Sequence, residues 1–115
     1  MTKSAAATAR GRIAAERAAT VHRIESLNAR LNDILDGSEL STNDDEHDPE
    51  GSTIAFERAQ VASLLGDARQ DLEDLDAALR RVDDGSYGIC VKCGQSIGAE
   101  RLDVLPAALR CIDCS

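Results

Sequence analysis

Two pairs of cysteines near the C-terminus constrain this chain more than any other feature of its sequence. All four cysteines of the 115 residues lie in that region, as Cys90, Cys93, Cys111 and Cys114. Two residues between cysteines let one tight turn present two thiolates to one metal ion, and a second such turn completes a tetrahedral site. Thiolates in this geometry favour zinc, with iron as the alternative metal. The spacing therefore predicts one structural zinc ion, because four protein ligands leave no position for a reactive water.

Other chemistries of paired cysteines fit the sequence less well. Two disulfides would suit a secreted domain, but residues 1–10 lack the apolar run of a secretory signal and are expected to be a frayed tail. A thioredoxin-like redox site needs one Cys-x-x-Cys motif in a β-α-β unit, not two facing motifs. No stretch approaches the roughly 18 apolar residues of a membrane span. Reduced cysteines without a targeting signal predict a cytoplasmic protein.

The segment over residues 85–115 is too short to bury a large core, so zinc would supply part of its folding energy. Gly94 follows the first cysteine pair, where a positive φ lets backbone N–H groups turn toward the sulfurs. Pro106 is expected to fix a turn before the second pair. The small core of this zinc finger is expected to use the segment's apolar residues: Ile89, Ile97, Leu102, Val104, Leu105, Leu109 and Ile112.

The residues before the finger predict two helices that pair with each other. Apolar residues recur in alternating steps of four and three along both arms, which indicates coiled-coil seams. One antiparallel register pairs Leu27 with Leu65 and continues along both arms. The predicted fold class is therefore mostly α: an antiparallel coiled-coil helical hairpin within residues 1–84, followed by a small four-cysteine zinc finger over residues 85–115. The seam positions are Ile13, Arg17, Thr20, Ile24, Leu27, Leu31 and Ile34, then Ile54, Arg58, Val61, Leu65, Ala68, Leu72, Leu75, Leu79 and Val82.

The ends of the two arms carry helix-terminating signals. Gly37 and Gly85 are placed where C′ glycines would end the arms, and Ser52 or Thr53 can cap the second arm. The loop between the arms is then expected over residues 36–52.

Two arginines interrupt the predicted seams. Their long stems can cover apolar neighbours while the charged heads reach carboxylates. We expect Arg17 to lie near Asp71 and Asp74, and Arg58 to lie near Asp33.

The charge of the chain is −8 at pH 7, and it is concentrated in the loop. Residues 36–52 hold seven acidic side chains and neither Lys nor Arg. One interpretation is a solvated, disordered linker, and another is an acidic tip that approaches a basic or cation-rich cleft in a larger partner. A calcium loop is a third interpretation, although the EF-hand pattern is absent. The candidate partner-binding tip residues are Asp44, Asp45, Glu46, Asp48 and Glu50.

Charge and composition also weigh against other functions. A chain of charge −8 with a neutral finger lacks the basic footprint for phosphate contacts, so no sequence-specific DNA binding is expected. No nucleophile paired with a base and no open metal position is visible, so the chain is not expected to be an enzyme. Both arms match in length and register within one chain, which predicts a monomer.

The finger closely resembles the DksA/TraR-type four-cysteine zinc finger family of bacteria. Its pattern of YGxC, CGxxI, RL, a proline and a second CxxC is matched at every position, and the hairpin is similar to the family's coiled-coil arm. The resemblance implies a transcription regulator that binds RNA polymerase through the secondary channel, with its acidic tip near the active-site magnesium. In many members a nucleotide alarmone is a co-effector. The matching residues are Tyr87–Cys90, Cys93–Ile97, Arg101, Leu102, Pro106 and Cys111–Cys114.

The family's tip pattern, Asp-x-x-Asp-x-Ala, is only partly present. In the register that starts at Asp48, Gly51 replaces the second Asp and Thr53 replaces the Ala. The register from Asp45 to Asp48 keeps two acids but puts Glu50 at the Ala position. Two functions therefore stay open: a polymerase-binding transcription regulator, and a structural or redox-responsive zinc module in stress response without polymerase binding.

Overall fold

Two long helices that pack as a hairpin make up most of the chain, as the sequence predicts. The computed structural model describes the backbone of residues 2–41 and 49–115 and the side chains of residues 2–37 and 53–115. Helix α1 spans Lys3–Ser41 and α2 spans Pro49–Asp84. The short helix α3, Ala99–Val104, and a 3₁₀ turn, Ile112–Cys114, follow in the finger. Backbone contacts group residues 1–19 with 71–115 in one unit and residues 20–70 in another.

Helix α1 begins earlier than expected. The hydroxyl of Thr2 accepts a hydrogen bond of 3.0 Å from the backbone N–H of Ala5, which caps the first turn. The alanines that follow have the highest intrinsic helix propensity. Ala9 is buried in a core with residues of α2 and the finger. The prediction of a frayed tail over residues 1–10 is therefore wrong.

Both long helices extend past the ends that the sequence predicts. Helix α1 continues through Gly37 to Ser41, and α2 begins at Pro49 instead of Ser52 or Thr53. Glycine within a helix costs only about 1 kcal/mol relative to alanine, so it need not end one. Proline suits a first helical turn because its missing N–H has no partner there. Gly85 does follow the end of α2, with a φ of 85°.

Within residues 20–70, α1 and α2 bury the central part of the predicted seam. Polar contacts cross between the helices, because Arg30 Nη2 lies 3.5 Å from Glu57 Oε1 and Arg69 Nη2 lies 3.5 Å from Asn28 Oδ1. Arg58 is exposed, so its stem does not cover the seam as expected. The buried seam residues here are Thr20, Val61, Leu65 and Ala68, with Ile24, Leu27, Leu31, Ile34 and Ile54 half-buried.

Within the other unit, the helix ends and the finger share one core. This cluster combines apolar side chains of both helices with two of the four cysteines, so the finger obtains apolar partners that its own short segment lacks. Its buried members are Ala9, Ile13, Leu75, Ala78, Val82, Tyr87, Cys90, Ile97, Leu102 and Cys111.

Ion pairs border this shared core. Arg17 Nε lies 2.7 Å from Asp76 Oδ1, a carboxylate next to Leu75 that the sequence pattern does not predict as its partner. In the same unit, Arg10 pairs with Asp83 at 2.9 Å. Such partly exposed pairs typically contribute about 0.2–1 kcal/mol, so packing stabilises this region more than charge does.

Two neighbouring leucines of α2 provide a test of the seam. Leu65 is 4% exposed and Leu64 is 45% exposed. Leu65→Ala is expected to lower the free energy of unfolding by about 2–5 kcal/mol, because it leaves a cavity between the helices. The matched control Leu64→Ala should change it by less than about 1 kcal/mol. Urea unfolding followed by circular dichroism at 222 nm measures both, and equal losses would contradict the seam assignment.

Candidate metal centre

The four cysteine sulfurs converge on one point. All four Sγ atoms lie within 4.8 Å of one another, so they could hold one metal ion. In a tetrahedral zinc site with Zn–S bonds of about 2.3 Å, the sulfurs lie about 3.8 Å apart. The Sγ atoms of Cys93 and Cys111 are 3.7 Å apart, which fits this geometry and is far longer than a disulfide bond. The thiolate donors and their spacing therefore fit a structural zinc ion.

The first cysteine pair lies in a tight turn built as the sequence predicts. Gly94 has a φ of 76°, and its N–H donates to the carbonyl of Cys90 at 2.9 Å. The N–H of Cys93 points to the sulfur of Cys90 at 3.5 Å. The N–H of Cys90 donates to the carbonyl of Gln95 at 2.7 Å, which closes the turn. These bonds hold two sulfurs on the same side of the turn.

The second pair is held against the first by backbone bonds. Cys111 is extended and leads into the 3₁₀ turn, where the N–H of Cys114 donates to the carbonyl of Cys111 at 3.1 Å. The N–H of Val91 donates to the carbonyl of Leu109 at 2.9 Å and so joins the two halves of the finger. This bond brings the two sulfur-bearing turns together.

The crowded thiols of the cluster differ widely in their pKa values. Hydrogen bonds from the backbone N–H groups of Cys93 and Cys111 lower the pKa of the Cys90 thiol to about 6. The neighbouring Cys111 thiol and then burial raise the pKa of Cys114 to about 12. The Cys90 thiolate therefore forms readily, while the raised pKa values of Cys93 and Cys114 oppose further negative charge beside it. A divalent cation removes that conflict, and this is the electrostatic reason for the cluster to bind a metal.

The core of the finger differs from the expected one. Ile97 and Leu102 are buried as predicted. The other five predicted members are exposed, because the shared core with the helix ends takes the place of an independent finger core. These exposed residues are Ile89, Val104, Leu105, Leu109 and Ile112.

Tyr87 is a buried structural residue that the predicted finger core does not include. Its side chain is 4% exposed, and its hydroxyl donates a hydrogen bond of 2.7 Å to the carbonyl of Pro106. Burial raises the pKa of this phenol. Pro106 is itself buried, so the turn that it forms is tied to the end of α2 through Tyr87. The position of a lone tyrosine just before the first cysteine pair is the sequence signal for this role.

Arg12 makes a further link between a helix and the finger. Its guanidinium lies 2.7 Å from Asp103 Oδ1 in α3. A cavity of about 550 Å³ lies beside it, lined largely by small residues of α1 and the finger.

The candidate acidic tip cannot be placed in the same way. Asp44, Asp45, Glu46 and Asp48 lie outside the described residues, and so does the side chain of Glu50.

Over the described part of the chain, neither long helix has a stretch apolar enough to cross a bilayer.

Residues 85–114 match the family described as the prokaryotic dksA/traR C4-type zinc finger. General stress protein 16O of Bacillus subtilis is 37% identical over 70 residues, 61% of this chain and 43% of that protein. The RNA polymerase-binding transcription factor DksA of Caulobacter vibrioides is 44% identical over 45 residues, 39% of this chain and 32% of that factor. The chain thus matches less than half the length of these curated relatives.

One solved structure resembles nearly the whole chain. The transcription factor DksA2 from Pseudomonas aeruginosa superimposes with a TM-score of 0.81 over 99% of this chain and 82% of that one, at 25% identity. The hairpin and the finger thus recur together in a bacterial transcription factor. Residues 85–114 thus match a four-cysteine zinc finger family, and their four sulfurs could hold one zinc ion.

Replacing one sulfur tests the metal centre. Cys93→Ser is expected to reduce bound zinc from about one ion per chain to well below that, because serine is a poor zinc ligand. The finger should lose its structure while residues 20–70 stay helical. Elemental analysis and circular dichroism measure the two effects. The control Val104→Ser, at an exposed position of the same segment, should keep its zinc, and full zinc content in Cys93→Ser would contradict the assignment.

The Tyr87 hydrogen bond gives a second test in this region. Tyr87→Phe keeps the ring but leaves the buried carbonyl of Pro106 without this donor, so we expect a loss of about 1–3 kcal/mol in stability. Thermal unfolding of the zinc-bound protein measures it. A change below about 0.5 kcal/mol would show that the bond is not needed to hold the turn.

Proposed function

We propose that this chain is a transcription regulator that binds bacterial RNA polymerase and acts from its secondary channel. The observation that carries the proposal is the likeness of 99% of the chain to the transcription factor DksA2. Several relatives are named as RNA polymerase-binding transcription factors. The proposal places the protein in the cytoplasm as a monomer, with polymerase as its partner.

In this proposal the chain has two parts with separate tasks. Residues 1–84 form the hairpin that presents the acidic segment, and residues 85–115 form the zinc finger. Cys90, Cys93, Cys111 and Cys114 are the zinc ligands, and the ion is structural because four thiolates fill its coordination sphere. No reaction is assigned to the zinc.

The acidic segment would act through its charge. Its seven carboxylate side chains over residues 36–52 include the candidates Asp45 and Asp48. Desolvation of such a cluster is costly unless opposite charge lies close by. A channel with basic walls and a catalytic Mg²⁺ would offset that cost. The match to the family's tip pattern is partial, so binding and regulatory output are tested separately.

A stress-linked zinc module without polymerase binding is the second candidate. The observation in its favour is the match to General stress protein 16O, which extends over 70 residues and so beyond the finger. In that case the four thiolates would respond to oxidants by releasing zinc.

Polymerase capture with a transcription assay distinguishes the two candidates. Wild-type protein is expected to bind core polymerase at micromolar concentration and to change initiation. Asp45→Asn with Asp48→Asn should weaken the effect on initiation. Deletion of residues 38–50 should abolish it while some binding persists. The control Glu25→Gln with Asp67→Asn removes the same charge from exposed helix positions and should act as wild type.

Two results would contradict parts of this proposal. Absence of wild-type binding to polymerase would leave the stress-linked module as the better account. Binding with unchanged initiation in the Asp45 and Asp48 variant would show that the acidic segment is only a solvated connection.

A further inference from the structure

The turn that joins α2 to the finger contains an aspartate followed directly by a glycine. Asp84 is the last residue of α2, and Gly85 follows it with a φ of 85°. The N–H of Ser86 donates to the carbonyl of Arg81 at 3.0 Å, which is the bond of a Schellman motif. Glycine is required here because the missing Cβ permits the positive φ. The backbone nitrogen of Gly85 therefore lies next to a carboxyl group, on an exposed turn, without a side chain to shield it.

An aspartate before a glycine is a place where a peptide chain rearranges spontaneously. The glycine nitrogen attacks the side-chain carboxyl carbon of the aspartate, and a C–N bond forms. The carboxyl hydroxyl leaves as water with the proton of the N–H, which yields a five-membered succinimide. Water then opens the ring at the main-chain carbonyl, so that the chain continues through the side chain and the α-carboxylate becomes free. The product is isoaspartate, which has the same mass and one more backbone atom.

Two hydrogen bonds from Ser86 hold the carboxylate of Asp84. The backbone N–H of Ser86 donates to Oδ1 at 2.9 Å, and its hydroxyl donates to the same atom at 2.5 Å. Such a short O–H···O⁻ distance is typical of a charge-assisted hydrogen bond. The hydroxyl bond, and then the N–H bond, lowers the pKa of Asp84. The ionised form is therefore favoured, and it reacts slowly because its oxygen is a poor leaving group.

The same tripeptide occurs twice in the chain and provides an internal comparison. Residues 36–38 and residues 84–86 both read Asp-Gly-Ser. The first copy lies within α1, which continues to Ser41, so its backbone is helical on both sides. The second copy lies where α2 ends, so only the last helical residue has to unwind before the nitrogen of Gly85 reaches the carboxyl carbon. In the second copy, the contact with Ser86 is therefore the feature that slows the reaction.

We propose that Asp84 is a modification site, at which the chain converts to isoaspartate when the contact with the Ser86 hydroxyl opens. This inference does not depend on the proposed function. The extra backbone atom would lie just before Tyr87, whose N–H donates to the carbonyl of Arg81 at 3.1 Å and so joins the finger to α2. Isomerisation would displace that bond. The free α-carboxylate of the product is the chemical group that isoaspartyl methyltransferases recognise, so an enzyme of that class is the partner that the modified chain would bind.

Ageing of the full zinc-bound chain at neutral pH tests the modification site. Peptide mapping by mass spectrometry gives the isoaspartate at each residue, and methyl transfer by an isoaspartyl methyltransferase gives the total. Ser86→Ala is expected to raise the rate at residue 84 about threefold or more, the factor to which a typical net hydrogen-bond contribution corresponds. Ser86→Thr keeps a hydroxyl and should stay near the wild-type rate. Ser63→Ala, an exposed serine of α2, is the matched control and should react as wild type.

Three further readouts separate the contact from a general loss of structure. Zinc content and helical signal are measured for each variant, and the rate at Asp36 should be the same in wild type and Ser86→Ala. Asp84→Glu should form no product at this position, because its ring would need six members. In urea, where the contact is absent, wild type should react faster at residue 84 than when folded, and at a rate similar to that of residue 36.

Two results would overturn the proposal. One is a wild-type rate at residue 84 in Ser86→Ala, or an equal rise at residues 36 and 84, since neither would assign the slow reaction to this hydroxyl. The other is an equal rate at residue 84 in folded and urea-unfolded wild type, which would show that the turn gives no protection.

Discussion

The convergence of four cysteine sulfurs is the interaction on which the rest of the finger depends. Residues 85–115 bury few apolar side chains of their own, and five of the seven expected core members are exposed. Zinc and the ends of the two long helices together supply what the segment lacks. The metal centre and the helix ends therefore depend on one core, since Cys90 and Cys111 belong to the same cluster as Ile13 and Leu75.

The shared core also explains how a structural metal can affect the two long helices. Tyr87 ties the end of α2 to the turn at Pro106, and Arg12 ties α1 to α3. Loss of zinc would therefore loosen both helices where they meet the finger. The same arrangement leaves Val91 and Leu109 on the outside, because the core side of the finger is already occupied.

Local sequence rules predicted the features that depend on local geometry. The cysteine spacing predicted the metal centre, heptad steps predicted the seam around Leu65, and Gly85 and Gly94 have the positive φ that their positions required. Errors arose where distant segments decide the outcome. The burial of Ala9 depends on residues far along the chain. Gly37 is a separate, local error, because α1 continues through it to Ser41. Exposure of Val104 and Ile112 could not be foreseen, because the helix ends took the core side of the finger.

Hydrogen exchange with and without zinc tests the central claim, that the metal and the helix ends stabilise one shared core. Chelation of zinc is expected to speed exchange in the finger and also in the helix stretches around Ile13 and Leu75, because they lose the same buried partners. Amides around Leu65, in the unit of residues 20–70, should keep their protection. Faster exchange confined to residues 85–115, or spread evenly along both helices, would contradict the shared core.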